Sequence, residues 1–381
     1  MPEEEVPPGR RVVECIRDLG PISRVDVARR TGLAPATVNR WVARMMRSGL
    51  VRDVGADLGT GGRPSVLVEL DERHGVVLAV DVADRHIDLA HLDLTGSAIS
   101  TERVPTPGPK GQDRLQVVID HIAAAAAAED GPPVLTIGVS VPGPVHHDGT
   151  VQFAPSLDWH DVPLGHLLEE ATGLSVVVEN DANLIALAEF ARGPWEDVQT
   201  LVTIAVFDGV GMGIVEGGRV WRGATGAAGQ IGRMLFSPDA LGTTFGGFGD
   251  LELHLGRVGI ASRASALGLV TGNDPRDADV VLERAAAREP GTRALLGELL
   301  DDYAFALVNV CALLEPDVVV LSGLFDRWGD LVIPLLASRM EGQVVTMPRL
   351  ERPSIGPTGA LVGAGLRAFQ ESGGLGSLIT G

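Results

Sequence analysis

The sequence predicts a two-lobed α/β body behind a small helical head that ends in a β wing. Three observations predict it. Positive charge is concentrated near the N-terminus, one strand–turn–strand plan occurs twice further on, and each copy is followed by helices alternating with parallel-type strands. From Arg10 to Arg63 eleven arginines stand against five acids, a net of +6. The other positions carry 20 basic and 45 acidic residues, a net of −25, in a chain of 381 residues with net charge −19. A basic head on an acidic body is the charge layout of a DNA-binding module attached to a sensor. With 45% hydrophobic residues the chain has the apolar content for more than one core, and its length suits two or three domains.

Several classes are disfavoured. No N-terminal stretch has the basic, apolar, small-residue order of a leader peptide, and the apolar runs Val134 to Val145 and Val318 to Leu321 are too short or too interrupted by Gly and Pro to span a bilayer. The expectation is a cytoplasmic protein that does not enter membranes. Cys15 and Cys311 lie far apart in apolar helical surroundings, so neither a structural disulfide nor a metal cluster is expected. Lys110 is the single lysine, a bias towards Arg that points to a high-GC genome rather than to a function.

The head is read element by element. Val12, Val13, Ile16 and Leu19 recur at helical spacing from Arg10 to Leu19, and Gly20-Pro21 stops that helix. Ser23 stands three residues before Asp26, a capping-box-like start for "SRVDVARRT", which Gly32 ends. Pro35 opens "APATVNRWVARMMRSGLV", whose Val38, Trp41, Val42, Met45 and Met46 face a core. This is a helix–turn–helix with its second helix aimed at a major groove. Thr37, Asn39 and Arg40 are the candidate base readers, because Asn and Arg make bidentate contacts to adenine and guanine edges. Arg44 and Arg47 are the candidate phosphate contacts. Two β-prone runs, "LVRDV" and "SVLVEL", flank "GADLGTGGRP", the shape of a wing whose Arg63 would enter a minor groove. The plainer alternative is a helical hairpin with a solvated arginine face.

In the body, "GVVLAVDVADRHIDLAHLDLTGSAIS" reads as three strands joined by tight turns. "TLVTIAVFDGVGMGIVEGGRVWRG" repeats the plan, with strands Leu201 to Phe207, Gly213 to Glu216 and Arg219 to Trp221. Parallel-type strands "LTIGVSV" and "SVVVEN" follow the first copy, and "DVVVLSG" the second. Two α/β lobes would place a ligand between them, where the loops Asp81 to Arg85, Pro142-Gly143-Pro144, Asn180-Asp181, Asp208 to Gly213 and Ser322-Gly323 converge. The expected boundaries are residues 1–72 for the head, 73–190 and 191–356 for the lobes, and 357–381 for a helix returning to the first lobe and a tail.

"IGVSVPGPV", "VENDANLIALAE", "GVGMGIVEGGRVWRGATGAAGQIGRM" and "VVVLSG", in this order behind a winged helix, resemble the ROK family of repressors and sugar kinases. The resemblance implies a duplicated, ribonuclease H-like fold of the actin-like ATPase/sugar kinase type, and the head assigns the chain to the regulator branch. Kinases of the family open with Asp-x-Gly-Gly-Thr, whose backbone cradles ATP phosphates. Asp81-Val82-Ala83-Asp84-Arg85 matches that run, with side chains where the glycines should be and a carboxylate at Asp84. The family's phosphate-binding Thr matches Asp208, and one glycine, Gly323, remains of a tandem near the adenosine. Two new anions oppose a tetra-anion, although Asp181 matches the family's catalytic base.

The stretch "GQIGRMLFSPDALGTTFGGFGDLE" matches the family's zinc loop, and here the resemblance implies loss. The His position is Arg233 and the Cys positions are Thr243, Phe245 and Asp250, a set that does not hold zinc. No metal or cofactor is expected, and Phe245 and Phe248 are expected to pack in the metal's place. The family's sugar-binding positions match Asn180, Asp181, Gln230, Arg233 and Glu252, residue types that engage paired hydroxyls. Arg233 either reads an anionic group on the effector or pairs with Asp250 or Glu252. The isolated His86, His91, His160 and His254 read as ordinary surface or core groups. The expectation is a DNA-binding transcriptional regulator, a repressor of carbohydrate genes, acting as a homodimer or tetramer on a pseudo-palindromic operator and controlled by a carbohydrate effector. Its rivals are an effector-independent regulator and an ATP-dependent sugar kinase.

Overall fold

The computed structural model describes residues 7–57, 65–106, 112–128, 131–245 and 247–371. The head consists of α1 (Pro8–Leu19), β1 (Ile22–Ser23), α2 (Arg24–Thr31), α3 (Pro35–Arg47), β2 (Val51–Asp57) and β3 (Ser65–Leu70). The Ser23 hydroxyl accepts the Asp26 N–H at 3.1 Å, and Gly32, at φ 67°, ends α2 in the left-handed region that Gly tolerates best. Pro35 opens α3, where its missing N–H costs nothing. β3 lies between β1 and β2 in an antiparallel sheet. β1 was not expected, because two residues are too few to show a period. Arg63 falls outside the described residues.

The first lobe is β4 (Val76–Val82), β5 (His86–Leu92), β6 (Ala98–Pro105), α4 (Gln112–Ala126), β7 (Val134–Val141), β8 (Val151–Ala154), β9 (Trp159–Val162), α5 (Leu164–Thr172), β10 (Ser175–Asn180) and α6 (Asp181–Arg192). The second is β11 (Thr200–Val206), β12 (Val210–Glu216), β13 (Arg219–Val220), α7 (Asp250–Leu255), α8 (Arg257–Ala266), α9 (Asp277–Ala286), α10 (Pro290–Leu314), β14 (Val318–Gly323), α11 (Leu324–Met340) and β15 (Arg349–Glu351), followed by α12 (Gly359–Glu371). Sheet order is β10-β7-β4-β5-β6 in one lobe and β15-β14-β11-β12-β13 in the other. In each, the first strand pairs antiparallel with the second and the second with the third. The fourth and fifth then add in parallel on the opposite edge. The duplication seen in the sequence is a duplication of topology.

Close backbone approach joins the lobes. A Cβ on Gly213 of β12 would lie 2.1 Å from the Ala182 carbonyl of α6, and one on Gly363 of α12 would lie 2.0 Å from the Leu184 carbonyl. β12 therefore starts at Val210, earlier than its glycines suggested: Gly211 and Gly213 are strand residues kept small to admit α6. Glu189 of α6, fully buried, accepts the Ser354 hydroxyl at 2.6 Å and the N–H groups of Ser354 and Ile355 at 3.0 and 2.9 Å, fixing the segment before α12. The head core (Val12, Val13, Ile16, Val38, Val42 and Met45) is continuous with Val77, Leu94, Ala368 and Phe369 of the body. Among the described residues, no helix is long and apolar enough to cross a membrane.

Candidate functional site

On the head, α3 buries Val38, Val42 and Met45 and turns the opposite face outward. Asn39, Arg40 and Arg47 are exposed and Thr37 is half-buried. Arg44 is also half-buried, its guanidinium 5.7 Å from the centroid of the Trp41 ring. The amphipathic spacing read from the sequence therefore leaves the candidate base readers on one open helix face. Arg52, missed in that reading, is engaged within the wing sheet, 2.7 Å from Glu69.

Between the lobes lies a cavity of about 420 Å³. Its walls include Asp81, Asp84, Asn180, Asp181, Asp208, Gln230 and Glu252. Four of the five candidate effector residues thus meet in one space. Asn180 caps α6 by accepting the Asn183 N–H at 3.2 Å, while its amide donates to the Gly143 carbonyl at 3.0 Å and to Asp181 Oδ1 at 2.9 Å. The Ala182 N–H donates to the same Oδ1 at 2.7 Å. Burial, then repulsion from Asp81, pushes the Asp181 carboxyl up to about 7, and burial pushes Asp81 up as well. Glu252 closes a capping box on α7: Oε2 accepts the Gly249 N–H at 2.6 Å, and Oε1 accepts the Val210 N–H at 3.2 Å. Burial raises its carboxyl too.

Arg233 is absent from the cavity wall. It lies exposed on the second lobe, its guanidinium 4.3 Å from the centroid of the Phe153 ring of the first. Its Nη2 donates to the Gly247 carbonyl at 3.4 Å. Among the described residues it forms no salt bridge with Asp250 or Glu252. Asp250 instead accepts the Phe236 N–H at 2.8 Å and lies 3.7 Å from His254. Its charge still acts on Glu252, lowering that carboxyl against the effect of burial, while its long side chain reaches an aromatic across the lobe boundary.

The loop matching the zinc site is also packed differently from expectation. Thr243 is exposed and Phe245 half-buried, while Phe248 lines the cavity. Phe236 makes aromatic contacts here, stacked on His254 at 4.9 Å and tilted against Phe305 at 5.5 Å between ring centroids. These partners belong to α7 and α10, and the contacts were not legible from the loop alone. Ser322 and Gly323, expected to converge on the cleft, do not line the cavity; they cap α11 through Asp326, which accepts the Gly323 N–H at 2.9 Å.

Both hairpin tips facing the cavity use their own backbone groups. In the first, the Ala83 N–H donates to His86 O at 3.0 Å, and buried Arg114 of α4 donates to the Asp84 carbonyl and lies 3.6 Å from its carboxylate. The Asp84 charge is therefore offset by a cation, which corrects the expectation that it acts as a bare repulsive anion. In the second tip the Phe207 N–H donates to Gly209 O at 3.0 Å, and the Phe207 carbonyl accepts the Arg257 N–H at 2.9 Å. Arg257 and Arg276 also line the cavity, each paired with an acid, Asp279 and Asp274 respectively.

The ROK family model matches residues 77–368, which contain both sheets and the cleft. The chain belongs to the ROK family. Residues 9–52 match a winged helix-turn-helix DNA-binding model, so the ROK body here carries the fused head of a regulator. A putative xylose repressor of Caldicellulosiruptor sp. (strain Rt8B.4) is 29% identical over 347 residues, 84% of each chain. The DNA-binding transcriptional dual regulator NagC of Escherichia coli (strain K12) is 26% identical, covering 90% of this chain and 87% of its own. A ROK family transcriptional regulator described as a homologue of the E. coli MLC protein shares the fold over 99% of both chains, with TM-score 0.82 and 23% identity. A ROK glucokinase from Streptomyces griseus, solved with glucose and AMPPNP, covers 78% of this chain and 100% of its own, with TM-score 0.65 and 28% identity.

Proposed function

We propose that this ROK protein is a cytoplasmic repressor of carbohydrate uptake or degradation genes, released from its operator by a small carbohydrate bound between the lobes. It reads a pseudo-palindromic site as a homodimer or a pair of dimers through Thr37, Asn39 and Arg40, with Arg44, Arg47 and the wing's Arg63 on phosphates and the minor groove. Gln230 and Asp181 supply the polar contacts to the carbohydrate, with Asn180 and Glu252 holding the walls around them. The similar xylose repressor and NagC support the assignment to sugar-gene control.

The observation that carries a non-enzymatic reading is the state of the two hairpin tips. A phosphate cradle needs backbone N–H groups turned to the ligand. Here the Ala83 and Phe207 N–H groups are used within their own turns, and the first tip bears the Ala83 and Asp84 side chains where kinases of the family have glycines. Asp181 is poised as a base with its carboxyl near 7, and in this reading it orients a sugar hydroxyl without transferring phosphate. An effector-independent regulator is the second reading, favoured by the backbone commitments of Asn180 and Glu252. Selection of the full chain against randomised DNA at one fixed salt concentration tests the proposal. A site with two related half-sites is the expected result; recovery of no preferred sequence, with phosphate transfer from ATP to glucose, is the contrary one.

A further inference from the structure

Beneath the cleft, Glu179 at the end of β10 is 1% exposed. Its Oε1 accepts the Asn180 N–H at 2.9 Å and the Asn183 amide at 3.0 Å. Its Oε2 faces two guanidinium groups from different parts of the molecule: Arg222 Nε, just past β13 of the second lobe, at 2.9 Å, and Arg367 Nε, on α12, at 3.7 Å. Arg222 continues into the first-lobe loop between β7 and β8. Its Nη2 donates to the Val145 and His146 carbonyls at 3.1 and 3.2 Å, and its Nη1 to His147 Nδ1 at 3.0 Å. Beside Arg367, Ala368 and Phe369 belong to the same apolar cluster as Val12, Val13 and Ile16 of α1.

One buried carboxylate oxygen thus serves a cation that spans the lobes and a cation on the helix that supports the head. Arg222 is the nearer of the two, and neither Nε makes a hydrogen bond with Oε2, so the oxygen is held by charge alone. Arg367 Nη2 meanwhile pairs with Glu371 at 2.7 Å. A buried carboxylate left without a cation is strongly destabilised, so loss of one partner favours approach of the other. We infer that Glu179 is a shared acceptor that couples lobe movement to the DNA head. As the lobes turn and Arg222 withdraws, Arg367 closes on Oε2 and shifts α12, and Phe369 with it, against α1. Such a two-position contact supplies the discrete states that coupling between distant sites requires. Arg367 is in this account a positioning residue acting through α12. The inference rests on the proposal that the head binds DNA under control of the cleft.

A double-mutant cycle on operator affinity tests it, using the full chain, a DNA site selected from random sequence, and fluorescence anisotropy at one salt concentration. Arg222→Met, far in sequence from the α3 readers, is expected to change operator affinity about fivefold or more. In the Arg367→Met background the same change is expected to have an effect of less than about twofold. Equal shifts in both backgrounds, or no shift in either, overturn the coupling. Should thermal melting show that Arg367→Met does not fold, Phe369→Leu serves as the second background. It loosens the link at the α1 end, leaves both guanidiniums in place, and carries the same two outcomes. An unaltered chain that selects no DNA site overturns the DNA reading and this inference together, whereas a selected site with additive variants overturns the coupling alone.

Discussion

The head and the cleft hold their candidate residues in opposite ways. On α3, Asn39, Arg40 and Arg47 project from an open helix face, their positions fixed by the packing of Val38, Val42 and Met45 beneath them. In the cleft, Asn180 and Glu252 are already spent on the N–H groups of Asn183, Gly249 and Val210. The difference separates two kinds of candidate residue. Those on the head project from the helix surface, exposed to solvent, while those in the cleft are built into the hydrogen bonds of its walls. A ligand there meets a space already held open by its own hydrogen bonds.

This contrast is open to direct attack. Asn39→Ala combined with Arg40→Ala should cost about 2 to 6 kcal/mol of operator affinity, on the order of 1 to 3 for each base contact, with the melting temperature unchanged. A fall in melting temperature would show that the head readers are structural after all. Glu252→Ala should instead destabilise the fold by about 2 to 3 kcal/mol in denaturant titration, because it strands the Gly249 and Val210 N–H groups. An unchanged midpoint would place Glu252 with the free ligand contacts.

Asp181 gives the contrast a pH dependence. Its carboxyl is raised to about 7 in the folded chain, above its unfolded value near 4. The folded state therefore holds the proton more tightly than the unfolded one, and the stability this contributes is present below about pH 4 and lost as pH rises to about 7. Asp181→Asn should remove that loss, raising stability relative to the unaltered chain by on the order of 2 kcal/mol at pH 8, allowing for the solvent in the cleft, with little difference at pH 4. Parallel stability profiles from pH 4 to 8 would contradict the assignment. The smallest effect belongs to Arg233→Leu, which removes an exposed cation–π contact worth about 0.5 to 1 kcal/mol. A much larger loss would reveal a second role for Arg233 in the second lobe.

The head and the duplicated sheets were legible because local chemistry dictates them. Ser23 with Asp26, Gly32 and Pro35 mark helix ends, and alternation marks β5. What escaped were features set by distant partners. Gly211 reads as a loop residue until α6 is laid against it. β1, β8 and β9 are too short for a period, and Arg114, Glu179 and Arg222 are ordinary charged residues until the fold brings together α4 with the first hairpin and β10 with the second lobe. The cleft residues were found through the resemblance of "VENDAN" and the zinc-loop run to the ROK pattern, but family position did not reveal their commitments. Arg233 shows the limit of that approach: a matching position told where the Cα lies, and the length of the new side chain decided what it touches.

The most direct test of the central claim is a titration of the operator-bound chain with D-xylose, N-acetylglucosamine, glucose and their phosphates at fixed salt, followed by anisotropy, with melting temperature measured on the same samples. The account predicts that one carbohydrate both raises the melting temperature and releases the DNA, and that Gln230→Ala weakens both responses together. A sugar that stabilises the fold while leaving the operator complex intact would contradict the claim that the cleft governs the head.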